Sequence, residues 1–285
     1  MSFPFAKYQG AGNDFVVVQG DAVDWSGVAP RLCDRHRGAG ADGLLVLLPS
    51  AVARFRMRMF NPDGTEDDCG NGLRCLALHA VLAGAVAGRE FPVETLSGVK
   101  PVSVLELSDR SGWIQAGMGR AVLHPAAIPA EWPGSQIQDE PLPVGGEWLR
   151  LHSLSTGTAH TVLFDTPEEE RFQRLSPLLE RHPRFPERTS VLWTEVLDRE
   201  RCRVRIWERG VGETLACGTG ACAVAVAAYR AGRTGPRVRV LSRGGELHVR
   251  VADDLSLSLA GPAALVYRAV WGETPSYSAA LRKAT

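Results

Sequence analysis

Apolar residues recur along the chain in short runs, most of which have the length of a β-strand. In the run Phe55–Phe60 apolar and basic residues alternate, which predicts a strand with one buried face. Other alternating or continuous apolar runs cover residues 15–18, 44–48, 102–107, 161–164, 202–207, 238–241, 247–251 and 255–259. The pattern predicts a protein rich in short strands.

Two Ala- and Leu-rich segments, residues 72–83 and 220–231, break this rhythm. Each is followed by a glycine, Gly84 or Gly232, which is a common residue at a helix C-terminus. Their length of about three turns and their composition predict helices. Because nearly all of their side chains are apolar, we expect both helices to be buried on most faces.

The two predicted helices begin with the same sequence, Cys-Gly-x-Gly, which starts at Cys69 and at Cys217. A stretch that begins at Gly12 precedes the first cysteine by nearly the distance at which a stretch from Gly157 precedes the second. The same order of features at the same spacing indicates a duplicated fold. Two related domains that face each other would place one Cys-Gly-x-Gly turn on each side of a cleft.

Three prolines fall within residues 124–134, which indicates a linker or an irregular crossing between the two halves. We therefore predict an N-terminal domain over residues 1–123, joined by the C-terminal segment 263–285, and a C-terminal domain over residues 124–262. The length of 285 residues suits two domains of this size.

The chain has 32 basic and 32 acidic side chains, so its formal net charge is zero. This balance gives no reason to expect a nucleic acid or an anionic membrane as a partner. The first residues lack the apolar core of a signal peptide, and no apolar stretch is long enough to span a bilayer. We expect a soluble, cytoplasmic protein that acts on a small molecule, and the sequence leaves open whether it forms a homodimer.

Six cysteines could form disulfides or a zinc site, but the chain is not cysteine-dense and the spacings are looser than those of a zinc knuckle. We interpret four of them as small buried hydrophobic residues: Cys33, Cys75, Cys202 and Cys222. Cys69 and Cys217 differ, because a cysteine and two glycines recur together before both helices. These two thiols are the candidate catalytic groups.

A glycine-rich turn that opens a helix presents free backbone N–H groups and the positive end of the helix dipole. A thiol at this position is expected to have a lowered pKa. A thiolate and a thiol on opposite sides of a carbon centre can invert it, one as base and the other as acid. The α-carboxylate of an amino acid would lie between the two helix N-termini, where developing negative charge is stabilised.

Two carboxylates, Asp67 and Asp68, directly precede Cys69 and would raise its pKa if they faced it. We expect both side chains to point into solvent, where their charge is screened.

Five stretches of the chain resemble the diaminopimelate epimerase family: residues 7–15, 34–43, 60–66, 69–75 and 207–222. The last of them reads WERGVGETLACGTGAC and is long and specific. The resemblance implies an α/β (α+β) fold of two pseudo-symmetric domains, each a curved mixed β-sheet wrapped round a central helix, with the active site in the cleft. It implies a cofactor-independent isomerase that interconverts LL- and meso-diaminopimelate in lysine and peptidoglycan precursor biosynthesis, with neither metal nor pyridoxal phosphate.

The sequence agrees on pyridoxal phosphate, which needs a Schiff-base lysine. None of the three lysines, Lys7, Lys100 and Lys283, lies in a phosphate-binding context.

The resemblance also implies roles for individual residues. Cys69 and Cys217 would be the acid–base pair. The backbone of four residues would hold the reacting α-carboxylate: Gly70, Asn71, Gly218 and Thr219. Asn13 would line the site, and His160 and Glu208 would orient the amino group. Asn61 and Arg209 would bind the far end of the substrate; a guanidinium matches a carboxylate in geometry.

Three departures from the family pattern concern recognition of the distal end of the substrate. Thr158 and Ser190 stand where the family usually has asparagine, and the stretch from Asn61 to Cys69 is one residue shorter than usual. A hydroxyl lacks the paired donor and acceptor of an amide. A racemase of another amino acid, for example histidine, is therefore an alternative with the same chemistry. An isomerase that uses a carboxylate would lack the two thiols, and a non-catalytic binding protein would not need them.

Overall fold

The computed structural model describes residues 2–21 and 23–272. The helices of this part are α1 (Trp25–Leu32), α2 (Gly70–Leu82), α3 (Glu169–Glu180) and α4 (Gly218–Arg230), with a 3-10 turn at Pro125–Ala127. The strands of the N-terminal half are β1 (Phe3–Gly10), β2 (Asn13–Gln19), β3 (Gly43–Leu48), β4 (Phe55–Phe60), β5 (Glu66–Asp67), β6 (Glu90–Thr95), β7 (Gly98–Leu107) and β8 (Ser111–Arg120). Those of the C-terminal half are β9 (Ile137–Val144), β10 (Glu147–Ser155), β11 (Ala159–Leu163), β12 (Ser190–Val196), β13 (Arg201–Glu208), β14 (Gly212–Thr214), β15 (Arg237–Ser242), β16 (Gly245–Val251) and β17 (Ser256–Trp271). No helix in these ranges is long and apolar enough to cross a membrane.

The predicted strands and the two predicted helices are confirmed. Each apolar run lies on an observed strand, and the last one, residues 255–259, is the beginning of the much longer β17. The two helices, α2 and α4, begin two residues earlier than predicted, at the glycine that directly follows Cys69 or Cys217. The cysteines are therefore part of the helix N-termini.

One arrangement of strands occurs twice, which confirms the duplicated α/β fold. In the N-terminal half β1 and β2 are antiparallel, β2 and β3 are parallel, and β4 pairs with β6 in parallel across α2. In the C-terminal half β10 and β11, β11 and β12, and β13 and β15 repeat these three relations across α4. The parallel crossovers bury the intervening helix against the curved sheet.

Each half has its own hydrophobic core around its central helix. In the N-terminal half Leu76 and Leu78 of α2 are fully buried among residues of the surrounding strands. In the C-terminal half Val224 and Val226 of α4 have the same position. A helix that is apolar on nearly all faces is stable only in such an enclosed place, so the composition of both segments is explained.

Strand β17 connects the two halves. Its first part pairs with β16 and with β8, and its last part returns to β1, with Phe3 opposite Trp271. The pairing of Gln9 with Ala264 places the beginning of the predicted joining segment beside the N-terminal half. Residues 273–285 of that segment lie outside the described residues, and the domain limits stay a prediction.

Two helices were not predicted, whereas residues 124–134 form an irregular crossing, as expected. Helices α1 and α3 each contain an internal proline, Pro30 or Pro177, which obscures the helical pattern. In α3 the buried residues Phe172, Leu175 and Leu179 have helical spacing, and this signal could have found it. The segment 124–134 crosses the surface irregularly and is anchored by the fully buried Ile128.

Candidate active site

Cys69 and Cys217 cap α2 and α4 in the same way. Their backbone angles are φ −141°, ψ 116° and φ −138°, ψ 117°, an extended conformation typical of a helix N-cap. The Cys69 Sγ accepts a hydrogen bond of 3.4 Å from the Gly72 N–H, and the Cys217 Sγ one of 3.3 Å from the Gly220 N–H. Both thiols are half-buried and lie at the positive end of a buried helix.

The glycines of the two turns serve close packing. A β-carbon on Gly72 would lie 2.8 Å from the Leu45 Cδ2, and one on Gly220 would lie 3.2 Å from the Leu192 Cδ2. A side chain at either position would push the first helical turn away from the neighbouring strand.

The N-termini of the two helices meet. A β-carbon on Gly218, the first residue of α4, would lie 3.5 Å from the Asn71 Oδ1 of α2. The two thiols are close enough for the charge of Cys69 to raise the pKa of Cys217. The structure thus brings both predicted acid–base groups to one site between the halves.

The expected lowering of the thiol pKa is wrong for both cysteines. Burial raises the pKa of Cys69 and of Cys217, and the negative charge of Glu208 raises both further. Hydrogen bonds from the backbone of the first turn act in the opposite direction but are the smaller effect. Desolvation of a thiolate therefore outweighs the stabilisation at the helix N-terminus.

The two carboxylates before Cys69 do not act on its thiol. Asp67 is exposed, as expected. Asp68 is only half-exposed, because its carboxylate accepts hydrogen bonds from the backbone N–H groups of Leu96 (3.2 Å) and Ser97 (2.7 Å). These bonds turn its charge toward the β6–β7 connection, so the expectation of a solvent-facing side chain is only partly correct for Asp68.

Glu208 lies against Cys217. The Thr214 hydroxyl donates a hydrogen bond of 2.5 Å to the Glu208 Oε1, and the negative charge of this carboxylate raises the pKa of the Cys217 thiol. Burial raises the pKa of Glu208. The Thr219 hydroxyl is 3.3 Å from the Cys217 Sγ on the other side.

His160 is fully buried and neutral. Burial is the main cause that lowers its pKa to about 3, and the positive charge of Arg209 adds to this. Its Nε2 is 3.0 Å from the hydroxyl of Thr158, whereas its buried Nδ1 has no partner in the structure. The hydroxyl that replaces the family's asparagine is thus engaged with the histidine.

Ser190 and Arg209 also lie together. The Ser190 Oγ accepts a hydrogen bond of 3.1 Å from the Arg209 N–H, and the Arg209 guanidinium donates to the Glu187 carbonyl. Asn61 lies in the β4–β5 connection, where its amide donates to the Thr65 hydroxyl at 3.1 Å. The described contacts join Ser190 to Arg209, but they do not join Asn61 to either.

Asn13 and Asn71 are the first links of a polar chain. The Asn71 Nδ2 donates to the Asn13 Oδ1, and the Asn13 Nδ2 donates to the Asp42 Oδ2 at 3.1 Å. Asp42 in turn accepts a hydrogen bond of 2.6 Å from Arg35. The sequence reasoning assigned no role to Asp42 or Arg35, although both lie in the stretch 34–43 that matched the family.

A groove of about 520 Å³ opens beside these groups. Its walls include the predicted site residues Cys69, Gly70, Thr158 and Thr219, but not Cys217, His160, Glu208 or Arg209. Pockets of a few hundred Å³ are usual for small-molecule sites. The arrangement offers two thiols, two helix N-termini and space for a small anionic substrate.

Comparison with known proteins identifies related sequences. A family model described as diaminopimelate epimerase matches residues 5–124 and 152–266. A diaminopimelate epimerase of Desulforudis audaxviator (strain MP104C) is 45% identical, covering 94% of this chain and 98% of that protein. One of Moorella thermoacetica is 44% identical, covering 93% of this chain and 97% of that protein.

A solved structure shows the same fold at much lower identity. The phenazine biosynthesis protein of the PhzF family from Bacillus anthracis superimposes with a TM-score of 0.70 at 17% identity, covering 95% of this chain and 99% of that chain. At this identity the likeness concerns the arrangement of the two similar halves alone.

Proposed function

The chain belongs to the diaminopimelate epimerase family, and we propose that Cys69 and Cys217 are the acid and the base of its reaction. The protein is an isomerase that interconverts LL- and meso-2,6-diaminopimelate, a step of lysine biosynthesis. The observation that supports the two-thiol assignment is the meeting of two helix N-termini, each capped by one of these cysteines.

The reaction needs one proton to leave the α-carbon on one face and another to arrive on the opposite face. The thiolate of one cysteine forms the new S–H bond as the Cα–H bond breaks, and the electron pair passes into the α-carboxylate. The thiol of the other cysteine then donates its proton to the α-carbon and becomes the thiolate. The two cysteines end with exchanged protonation states, so the enzyme works in both directions.

Stabilisation of the anionic intermediate comes from the first turns of α2 and α4. We place the reacting carboxylate against the backbone of Gly70, Asn71, Gly218 and Thr219. Free N–H groups and aligned peptide dipoles at a helix N-terminus favour a negative charge without reorganisation. Exclusion of water raises the pKa of the thiols in the free enzyme. The same exclusion of water strengthens the interaction between the helix N-termini and the negative charge once that charge has formed.

The remaining site residues position the substrate. We propose that Glu208 accepts a hydrogen bond from the substrate ammonium, and that the neutral His160 orients the same group. Arg209 is the cation for the distal carboxylate, with Asn13 and Asn61 on the wall of the site. Thr158 and Ser190 contribute hydroxyls where the family usually has amides.

A second candidate is a racemase of another amino acid with the same thiol chemistry. The observation in its favour is that the Thr158 and Ser190 hydroxyls already have partners within the protein, His160 and the Arg209 N–H. Fewer free hydrogen-bonding groups then remain to bind the distal end of diaminopimelate.

The experiment is α-proton exchange in D2O, followed by NMR under reducing conditions. The panel contains LL- and meso-diaminopimelate, both enantiomers of histidine and several other amino acids. Deuterium that enters diaminopimelate with inversion supports the epimerase reaction. Exchange in another amino acid alone would overturn the diaminopimelate assignment but keep the two thiols, and no exchange in the whole panel would contradict both.

A further inference from the structure

Arg74 is a fully buried arginine in α2 that the reaction described above does not use. Its guanidinium donates to the Gly70 carbonyl at 3.2 Å and to the Asn71 Oδ1 at 2.7 Å. Its buried Nε has no hydrogen-bond partner. Within residues 2–21 and 23–272 no carboxylate forms an ion pair with it, and the charges that act on it come from cysteines.

A buried cation without a counter-ion is costly, because its desolvation is not offset by an attractive charge. Burial accordingly lowers the pKa of Arg74. A negative charge that forms near the Arg74 guanidinium offsets part of this desolvation cost. The nearest place for one in the proposed reaction is the first turn of α2, where the Cys69 thiolate and the reacting carboxylate would lie.

The second half of the molecule has no equivalent of this cation. Arg74 follows Cys69 by the same number of residues as Cys222 follows Cys217, so the duplicated turn has a neutral thiol in this place. Asn71 likewise corresponds to Thr219. The two halves share a fold but differ in the charge beneath the capping cysteine.

The hydrogen-bond chain that starts at Arg74 fixes the orientation of two amides. A guanidinium can only donate and a carboxylate can only accept. Arg74 therefore requires the oxygen of Asn71 to face it, and Asp42 requires the nitrogen of Asn13 to face it. The remaining Asn71 Nδ2 and Asn13 Oδ1 then match each other.

The charged and titratable groups around Cys69 come from several elements. Arg74 of α2 favours its ionisation, whereas Glu208 of β13 opposes it. Cys217 of α4 faces it across the site. The groove beside Cys69 is also lined by four charged side chains: Asp67, Asp68, Lys100 and Arg120. Among the cations Arg74, Lys100 and Arg120, only Arg74 is fully buried, so its electric field is the least screened by solvent.

We propose that Arg74 is a positioning residue that makes the two thiols unequal: its buried guanidinium, bonded to the first turn of α2, favours negative charge on Cys69, whereas the corresponding position behind Cys217 holds the neutral Cys222. This proposal rests on the proposed two-thiol function and deepens it. It assigns the thiolate of the free enzyme to Cys69.

The test measures the pH dependence of alkylation of each thiol separately. The full-length protein reacts with iodoacetamide from pH 6 to 10, and mass spectrometry of the peptides gives one rate for Cys69 and one for Cys217. Three variants are compared with the unchanged protein: Arg74→Lys, Arg74→Gln and Arg74→Met. Arg230→Gln is the matched control, because it removes an exposed arginine from α4 with the same change in charge.

We expect the neutral variants to raise the apparent pKa of Cys69 by about one unit, which slows its alkylation about tenfold below that pKa. Cys217 should keep its profile, Arg74→Lys should restore that of Cys69, and Arg230→Gln should change neither. Equal shifts for both thiols, or the same result for Arg74→Lys and Arg74→Gln, would overturn the proposal.

The unchanged protein provides a second measurement that needs no variant to fold. The apparent pKa of Cys69 should be lower than that of Cys217, and the reverse order would overturn the proposal. Alkylation requires no turnover, so the result does not depend on which amino acid is the substrate. A protein with the expected thiol order but no exchange in any amino acid would contradict the proposed function and leave the inequality of the thiols intact.

Discussion

The carboxylate of Glu208 is the negative charge nearest to Cys217, and Glu208→Gln removes this charge with almost no change in shape. The negative charge of Glu208 is one of the causes that raise the pKa of both cysteines. In the variant we expect the pKa of Cys217 to fall. The Cys217 thiol then loses its proton more easily.

The magnitude is bounded by the interaction of two neighbouring charges. Two unit charges about 4 Å apart interact by about 4 kcal/mol at an effective dielectric constant of about 20, which corresponds to about three pKa units. Glu208 is half-buried, so solvent screens part of this interaction. We therefore expect a fall of about one to two units for Cys217 and a smaller fall for Cys69, whose pKa depends less on the charge of Glu208.

The assay is peptide-resolved alkylation between pH 6 and 10, with circular dichroism to show that the variant is folded. Glu213→Gln is the matched control, because it removes the same charge from a half-buried glutamate that instead pairs with Arg205 and Arg243. The control should leave both thiol profiles unchanged. An unchanged or raised pKa of Cys217 in Glu208→Gln would refute the role given to this carboxylate.

Two further predictions concern catalysis and stability. Replacement of either Cys69 or Cys217 by alanine should lower the rate of inversion by roughly 10²- to 10⁴-fold, measured by NMR, and full activity in either variant would exclude the two-thiol mechanism. Burial lowers the pKa of three histidines from 6.5, to about 4 for His79, about 4 for His152 and about 3 for His160. The unfolded chain then binds protons below pH 6.5 that the folded protein does not, so the free energy of unfolding should fall by about 1 kcal/mol per histidine for each pH unit below 6.5. Urea denaturation at pH 7.0 and 5.5 measures this slope. The variant His79→Gln should remove about a third of the slope. Equal stability of the unchanged protein at both pH values would contradict the burial of neutral histidines.

The local features of the site follow from short stretches of sequence. Cys69 and Cys217 were predicted at helix N-termini because a cysteine, two glycines and an apolar helix adjoin each other in the chain, and the cap geometry depends on these neighbours alone. The repetition of this short pattern in both halves of the sequence likewise predicted the duplicated fold. A helix interrupted by Pro177 did not stand out, because its only clear signal is the spacing of three buried side chains.

Properties that depend on surroundings distant in sequence were not predicted. The helix dipole is a local effect, whereas the desolvation that raises the thiol pKa comes from residues of both halves. The contact between Cys217 and Glu208 and the hydrogen bond between Asn13 and Asp42 join separate elements, so spacing along the chain does not reveal them. The complete burial of Arg74 likewise depends on the strands that enclose α2, which the sequence of the helix does not reveal.

The position of β17 has a consequence for how the protein is made. Strand β1 is synthesised long before β17, and its partner on one side is the end of β17, with Phe3 opposite Trp271. Strand β8 likewise pairs with β17 and lacks this partner until β17 has been made. During synthesis the N-terminal half therefore exposes two unpaired strand edges, which are sites of wrong pairing between nascent chains. The sheet of this half closes only after β17 has been made, so β1 and β8 complete their pairing after the strands of the C-terminal half have been synthesised.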